Sequence, residues 1–264
     1  MRVPSDGDRT EPSAMSEAEP VTEPEDLPVE AAGATVGLGP WTGEWPTGDR
    51  YDPALLADGD TRNVLDGYRY WRRDAIIADL DTRRHPFHVA VENFTHDFNI
   101  GSVVRTANAF LAAEVHIVGR RRWNRRGAMV TDRYQHVRHH ADLAELADWA
   151  RASGLHVIGI DNVPGSVPLE TFDLPRDALF VFGSEGPGLS EESLAACEAV
   201  LAITQFGSTR SINAGAAAAI AMHAWIRRHT FQQEIPAQQE IPAQQEIPAH
   251  QEIPAGQEVP GDQL

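Results

Sequence analysis

The chain has 264 residues, a formal net charge of −17 at pH 7 and 42% hydrophobic residues. No apolar run reaches the roughly 18–20 residues needed to span a bilayer, and the acidic start lacks the basic and apolar pattern of a secretory signal. All 22 basic residues are arginine, which excludes a Schiff-base or phosphate-loop lysine, and the single Cys197 excludes a disulfide within the chain. These features predict a cytoplasmic protein without a membrane segment.

Both ends of the chain are predicted to be disordered. Residues 1–30 contain nine acidic and two basic residues with few large apolar ones, a composition that does not support a packed core. Residues 231–264 repeat Gln-Gln-Glu-Ile-Pro-Ala with a period of six, and a proline in every repeat prevents a sustained helix. The two ends carry −7 and −6, so residues 31–230 retain only about −4. The acidic balance therefore does not argue against a nucleic-acid partner for the central part.

Residues 1–60 are expected to form an acidic segment followed by an irregular arm that carries Trp41 and Trp45. Residues 61–230 are expected to form one domain, in which strands alternate with helices. The predicted elements are a helix over 61–84, a strand over 87–91, a helix over 103–113, a strand over 115–118, a helix over 141–153, strands over 155–160 and 178–182, a helix over 189–198, a strand over 199–204 and a final helix from 213. This alternation predicts an α/β fold with a mostly parallel sheet flanked by helices.

A glycine-rich loop follows the strand at 178–182. It contains three glycines, at 183, 186 and 188, and a single carboxylate, Glu185. Glycines allow a backbone to approach a ligand closely or to adopt positive φ. The loop lacks the lysine of a phosphate-binding loop, the spacing of a dinucleotide fingerprint and the Gly-x-Ser-x-Gly pattern of a nucleophile elbow. We expect the strands at 178–182 and 199–204 to lie side by side, with a ligand site at their carboxyl ends.

Polar residues stand at the start of two predicted helices. Asn99 precedes one helix, and Arg105 follows six residues later; the structural alternatives are a helix N-cap and a solvated helix arginine. Ser211 and Asn213 open a helix of alanine and glycine, where they can serve as caps or as site residues.

Seven arginines and one acidic residue lie between positions 120 and 138, directly after a predicted strand. Arginines neutralise an RNA backbone and a tryptophan can stack on a base, although such a run is also compatible with a solvated loop. The predicted RNA contacts are Arg121, Arg122, Trp123, Arg125 and Arg126. The nearby His136, His139 and His140 lack a supporting cysteine or carboxylate pattern, so no metal is predicted.

Three of these stretches resemble the motifs of the SpoU (TrmH) family of RNA methyltransferases, which belongs to the SPOUT superfamily. The matching pairs, in motif order, are Asn99 and Arg105, Gly183 and Glu185, and Ser211 and Asn213. Order and spacing agree over residues 87–228. Two departures are Phe98, where the family often has histidine, and Thr204-Gln205, where it commonly has proline. Separate RNA-binding extensions are not evident, so the helix at 61–84 and the arginine-rich stretch would have to bind RNA.

The resemblance implies a carboxyl-terminal trefoil knot, a rare feature of protein chains. It also implies S-adenosylmethionine bound at Gly183, Ile203 and Ile212, and a homodimer with the site at its interface. The implied reaction is methylation of a ribose 2′-oxygen in tRNA or rRNA. The implied catalytic residues are Asn99, Arg105, Glu185, Ser211 and Asn213.

Two alternatives of other classes stay open. A catalytically silent RNA- or protein-binding module on the same fold is disfavoured by the intact motif residues. An α/β enzyme that uses a nucleotide cofactor without RNA is disfavoured by the missing lysine and fingerprint.

Overall fold

A computed structural model describes residues 37–94, 99–184 and 186–231. Its centre is a seven-stranded sheet in which every strand pair is parallel, with the order β3-β2-β1-β6-β4-β7-β5. The strands are β1 His88–Asn93, β2 Val115–Gly119, β3 Val137–His140, β4 His156–Ile160, β5 Val167–Pro168, β6 Ala178–Phe182 and β7 Ala199–Ala202. The helices are α1 Pro53–Asp58, α2 Arg73–Asp81, α3 Ile100–Ala109, α4 Leu143–Ala152, α5 Glu191–Ala196 and α6 Ala214–Ile226. The predicted α/β class is confirmed.

The central strands are apolar because helices cover both faces of the sheet. All five residues of β6 are buried. Phe180 and Phe182 pack in one cluster with residues of α3 and α6, whereas Leu179 and Val181 pack in a second cluster with residues of α4. Side chains that alternate along a strand point to opposite faces, so this one strand contributes to both halves of the core.

The predicted adjacency of two site strands is wrong. β6 and β7 do not pair with each other, because β4 lies between them and pairs with both. Ile160 of β4 is in register with Phe182 on one side and with Leu201 on the other. Since all three strands are parallel, their carboxyl ends still meet at one edge of the sheet. The ligand site therefore has a third wall, which the sequence did not indicate.

Two edge strands were not predicted. β3 carries Arg138, His139 and His140, and its polar character resembles a loop in the sequence. β5 has only two residues and includes Pro168, which a sheet accepts at an edge. Neither segment has the apolar run by which the buried strands are recognised.

The long helix predicted over 61–84 is wrong at its amino-terminal half. Only Arg73–Asp81 forms an α-helix, and Leu65, expected on the packed face, is exposed. Tyr70 has a φ of 63°, which interrupts any helix. The cause is Asp60, a buried carboxylate that accepts hydrogen bonds from the Arg62 side chain and from the backbone N–H of Tyr70. These contacts fold residues 60–70 into a closed loop.

The irregular arm packs on the domain through one of its two tryptophans. The Trp41 ring meets the Tyr70 ring edge-on at a centroid distance of 5.3 Å, while Trp45 is exposed. The arm also contains the short helix α1, capped by the Asp52 side chain.

The predictions for residues 1–30 and for the repeat beyond Phe231 lie outside the described residues. None of the helices in the described ranges combines the length and apolar character of a membrane span.

Candidate functional site

A cavity of about 570 Å³ opens at the carboxyl ends of β4, β6 and β7. It is walled by the segments that follow these strands and by the start of α6. The lining residues predicted from sequence are Gly183, Ile203, Ser211, Ile212 and Asn213. Phe182 and Ala217 add apolar surface, and Asn162, Ser184 and Gln205 add polar groups. This volume and mixed lining are typical of a site for a small amphipathic molecule.

The glycine-rich loop folds back on itself so tightly that side chains are excluded. A Cβ atom on Gly183 would lie 2.0 Å from the carbonyl carbon of Gly188. Gly188 has a φ of +76°, and its own Cβ would lie 2.3 Å from Asp161 Oδ2. The backbone N–H of Gly188 closes the turn by donating to the carbonyl of Ser184 at 3.0 Å. Glu185 lies outside the described residues, as does Phe98.

Two carboxylates that were not predicted from the sequence accept hydrogen bonds from the residues directly after this loop. Asp161, directly after β4, accepts a hydrogen bond from the Leu189 backbone N–H at 2.8 Å. Glu92, buried in β1, accepts from the backbone N–H of Ser190 at 3.1 Å and from the hydroxyls of Ser190 and Ser193. The signal available in the sequence was an acidic residue at the end of each predicted apolar strand, where an unpaired charge would be costly to bury.

The cavity is joined to α3 by two asparagines. Asn213 caps α6, because its Oδ1 accepts from the backbone N–H groups of Gly215 and Ala216. Its Nδ2 donates to Oδ1 of Asn99 at 2.9 Å. Asn99 occupies the N-cap position of α3 but makes no side-chain cap hydrogen bond. The helix-cap alternative therefore holds for Asn213 and not for Asn99. Ser211 is exposed at the cavity.

Arg105 lies on the exposed side of α3 and does not line the cavity. Six residues of helix separate it from Asn99, which corresponds to about 9 Å along the helix axis. Its side chain makes no hydrogen bond or ion pair with any residue in the described ranges. Its guanidinium is thus available to a molecule bound from outside.

The arginine-rich stretch packs beside α3. Gly127 and Ala128 lie so close to Gly101 of α3 that a Cβ there would meet the Ala128 nitrogen at 2.7 Å. The Asn93 side chain anchors the start of the stretch by donating to the carbonyls of Arg120 and Arg122. Four of the five predicted RNA contacts are exposed, namely Arg121, Arg122, Arg125 and Arg126. Trp123 is half-buried against the core, with the Arg125 guanidinium 5.5 Å from its ring, so only part of the ring faces outward.

The three histidines near this stretch do not converge. His136 contacts Asp81, and His139 contacts the Gly119 carbonyl. His140 is buried and contacts His116 through its Nε2 atom at 2.9 Å. Burial lowers the pKa of His116 to about 2 and also lowers the pKa of His140.

A larger groove of about 1040 Å³ lies between α4 and α5. It is lined mainly by alanines, leucines and exposed helix side chains, and it contains none of the motif residues. The smaller cavity is the better candidate site, because strand ends, glycines and the N-terminus of α6 converge there.

An all-parallel sheet with a glycine-walled cavity at its carboxyl edge places the chain among α/β proteins that bind a ligand at that edge. Residues 86–223 match the SpoU rRNA Methylase family, and the chain belongs to this family. The resemblance seen in the three motifs is confirmed.

Curated relatives share the central part of the chain. An uncharacterized tRNA/rRNA methyltransferase of Mycolicibacterium vanbaalenii is 32% identical over 163 residues, which cover 59% of this chain and 51% of the relative. The tRNA (guanosine(18)-2'-O)-methyltransferase of Escherichia coli is 24% identical over 155 residues, covering 57% of this chain and 68% of the enzyme. The chain spans about half the length of the uncharacterized relatives it matches.

Solved structures agree on the fold. The A. aeolicus TrmH/SpoU tRNA modifying enzyme aligns with a TM-score of 0.55 at 17% identity, over 61% of this chain and 84% of that one. The SpoU methyltransferase AviRb of Streptomyces viridochromogenes, solved in complex with the cofactor AdoMet, aligns with a TM-score of 0.50 at 26% identity. That alignment covers 57% of this chain and 60% of AviRb.

Proposed function

We propose that this protein methylates a ribose 2′-hydroxyl in structured RNA, either tRNA or rRNA, with S-adenosylmethionine as the methyl donor. We further propose that it acts in the cytoplasm as a homodimer. The observation that carries the proposal is the coupling of the glycine-walled cavity to α3 through Asn213 and Asn99. Family membership and the AdoMet complex of AviRb support the choice of cofactor.

The cavity fits the proposed donor chemically. Phe182, Ile203 and Ile212 provide apolar surface for an adenine ring, while Asn162 and Gln205 offer hydrogen-bonding groups for a ribose or an amino acid. The donor supplies a methyl group on a positively charged sulfonium, which needs no metal and little acid catalysis. The knot implied by the family remains a prediction, as do the catalytic roles of the individual residues.

The proposed role of the protein is to place and activate the attacking oxygen. A ribose hydroxyl is a poor nucleophile at neutral pH, so the site must stabilise the alkoxide that develops as the hydroxyl proton passes to solvent water and the donor leaves as a neutral thioether. The Arg105 guanidinium suits this role and can also hold the adjacent phosphate. Arginine stays protonated above pH 12, so we assign Arg105 charge stabilisation and not proton abstraction.

The position of Arg105 supports the proposed homodimer. Within one chain the cavity lacks Arg105 among its lining residues. A dimer with the site at its interface lets α3 of one protomer face the cavity of the other. Arg121, Arg122, Arg125 and Arg126 then extend a basic surface beside α3 for the RNA backbone.

The test is methyl transfer from labelled S-adenosylmethionine to tRNA and to rRNA, followed by digestion to nucleosides and mass spectrometry. We expect label in 2′-O-methylated nucleosides only. Label on a base would overturn the ribose assignment. RNA binding without any transfer would show the silent binding module instead. Sedimentation of the same sample tests the dimer separately.

A further inference from the structure

A second group of ligand-type side chains lies at the edge of the sheet opposite to the cavity. His88 is the first residue of β1, Glu114 directly precedes β2, and His116 is the second residue of β2. One ligand atom from each lies within 4.8 Å of the other two. His88 Nδ1 and His116 Nε2 are 3.0 Å apart, and His116 Nε2 is 3.9 Å from Glu114 Oε2.

These distances are close to those of a zinc site. Zinc binds nitrogen and oxygen ligands at about 2.0–2.2 Å in tetrahedral geometry, so neighbouring donor atoms lie about 3.3 Å apart. The two separations in this group fall on either side of that value. For all three donors to reach one ion, His88 and His116 have to move slightly apart and Glu114 has to move closer to His116. Two histidines and one glutamate with a water in the fourth position form a ligand set that zinc uses in proteins.

A neighbouring histidine fixes the orientation of the buried ligand. His116 Nδ1 lies 2.9 Å from His140 Nε2, and the Trp149 ring packs on the His116 ring at a centroid distance of 4.3 Å. Metal-binding histidines commonly have their second ring nitrogen held in this way. The His116 ring can therefore offer only Nε2 to an ion.

Arg138 shares the carboxylate of the group. Its Nε donates to Glu114 Oε2 at 2.9 Å. An ionised carboxylate has two oxygens with about four acceptor positions, so Glu114 can bind Arg138 and an ion together. The nearby positive charge opposes an incoming cation, and we expect weaker binding than at a structural zinc centre.

The site is open to ions from solution. His88 and Glu114 are half-buried, so an ion reaches the group from the surface.

We propose that His88, Glu114 and His116 bind a zinc ion that ties β1 to β2 at the amino-terminal edge of the sheet. The site is independent of the methyl-transfer cavity, which lies at the carboxyl-terminal edge.

The experiment uses the untagged full-length chain after chelator treatment. Titration with zinc chloride by calorimetry should show one ion per chain, and cobalt(II) should give the visible absorption of tetrahedral coordination. His88→Ala and Glu114→Gln should each weaken zinc binding at least about tenfold. His156→Ala is the matched control, because His156 pairs with Glu198 at 2.8 Å and has no third ligand in the described part of the chain.

Unchanged zinc affinity in both His88→Ala and Glu114→Gln would overturn the proposal, as would the absence of stoichiometric binding to the wild-type chain. Glu114→Gln preserves the size of a half-buried side chain, so it keeps the test valid if His88→Ala fails to fold. Methyl-transfer activity is not used as a readout.

Discussion

Asn213 donates a hydrogen bond to Asn99 at 2.9 Å and so ties the start of α6 to the start of α3, across 114 positions of sequence. One of these helices closes the cavity and the other carries Arg105. The pair therefore fixes the helix that carries Arg105 against the cavity wall of the same chain, and in the proposed homodimer it sets where Arg105 is presented to the cavity of the partner.

Replacing Asn213 should separate its two roles. Asn213→Ala removes the cap of α6 and should lower the free energy of unfolding by about 1 kcal/mol. Asn213→Ser restores a capping oxygen but is too short to reach Asn99. We expect near-normal stability in denaturant unfolding but reduced turnover for Asn213→Ser. Full turnover in that variant would contradict a positioning role for the asparagine pair.

Arg105→Ala should lower turnover by about 10²–10³-fold, the loss typical when one preorganised donor to a developing oxyanion is removed. Cofactor affinity by calorimetry should be unchanged, because the interaction is made mainly in the transition state. Stability should change by less than about 0.5 kcal/mol, since Arg105 is exposed. Wild-type single-turnover rates would remove Arg105 from the mechanism.

The arginine-rich stretch should act on affinity and not on chemistry. Arg121→Gln, Arg122→Gln and Arg125→Gln should each weaken RNA binding. Each should also flatten the salt dependence by roughly one unit of slope for every phosphate interaction that is removed. Turnover at saturating RNA should stay near normal. Arg151→Gln on α4 is the matched control, because Arg151 is equally exposed but lies away from this surface. Equal losses in both would indicate a nonspecific charge effect.

Glu92→Gln should weaken the hydrogen bonds that hold the residues after the glycine-rich loop. A carboxylate accepts all three hydrogen bonds from Ser190 and Ser193, whereas an amide presents a donor to one of these groups. We expect a cost of about 1–3 kcal/mol in stability, together with weaker cofactor binding in calorimetry. Glu192→Gln changes the same charge on the exposed side of α5 and should alter neither. Cofactor affinity that is unchanged in Glu92→Gln would show that the loop is held by other contacts.

Asp60 should make stability depend on acid. Burial alone would raise its pKa, but hydrogen bonds from the Arg62 side chain and the Tyr70 and Arg62 backbones lower the pKa from 3.8 to about 2. A folded pKa below the unfolded one stabilises the protein above the unfolded value, and this contribution disappears as pH falls from about 4 to 2. Asp60→Asn should therefore cost about 2 kcal/mol at pH 7 and much less near pH 2. Urea unfolding of both proteins across this range measures the difference, and a constant difference would refute the assignment.

The sequence predicted the buried strands well, because their apolar runs report burial on both faces. β2 and β6 begin where expected, at Val115 and Ala178. The sequence-based prediction failed where a tertiary contact overrides the local spacing of apolar residues. The apolar residues between 61 and 84 have helical spacing, yet the Asp60 contacts and the positive φ of Tyr70 impose a loop.

The candidate site, too, was predicted correctly only in part. Gly183, Ile203, Ile212, Ser211 and Asn213 were predicted at the cavity and do line it. Asp161 and Glu92 were missed because their partners are backbone and hydroxyl groups of residues 189–193, and no sequence spacing reveals which strand neighbours which loop. The insertion of β4 between β6 and β7 is the reason that Asp161 reaches the loop at all.

The strand order also has a consequence for how the molecule assembles. β1 pairs with β6, so the middle of the sheet joins His88 to Leu179 and cannot close until both segments are present. The cavity further requires Ala217 of α6. Contacts this distant in sequence slow folding, so we expect the pocket to form in the last stage of folding. A molecule bound there stabilises interactions absent from earlier intermediates, and it should prolong the lifetime of the native state without accelerating its formation.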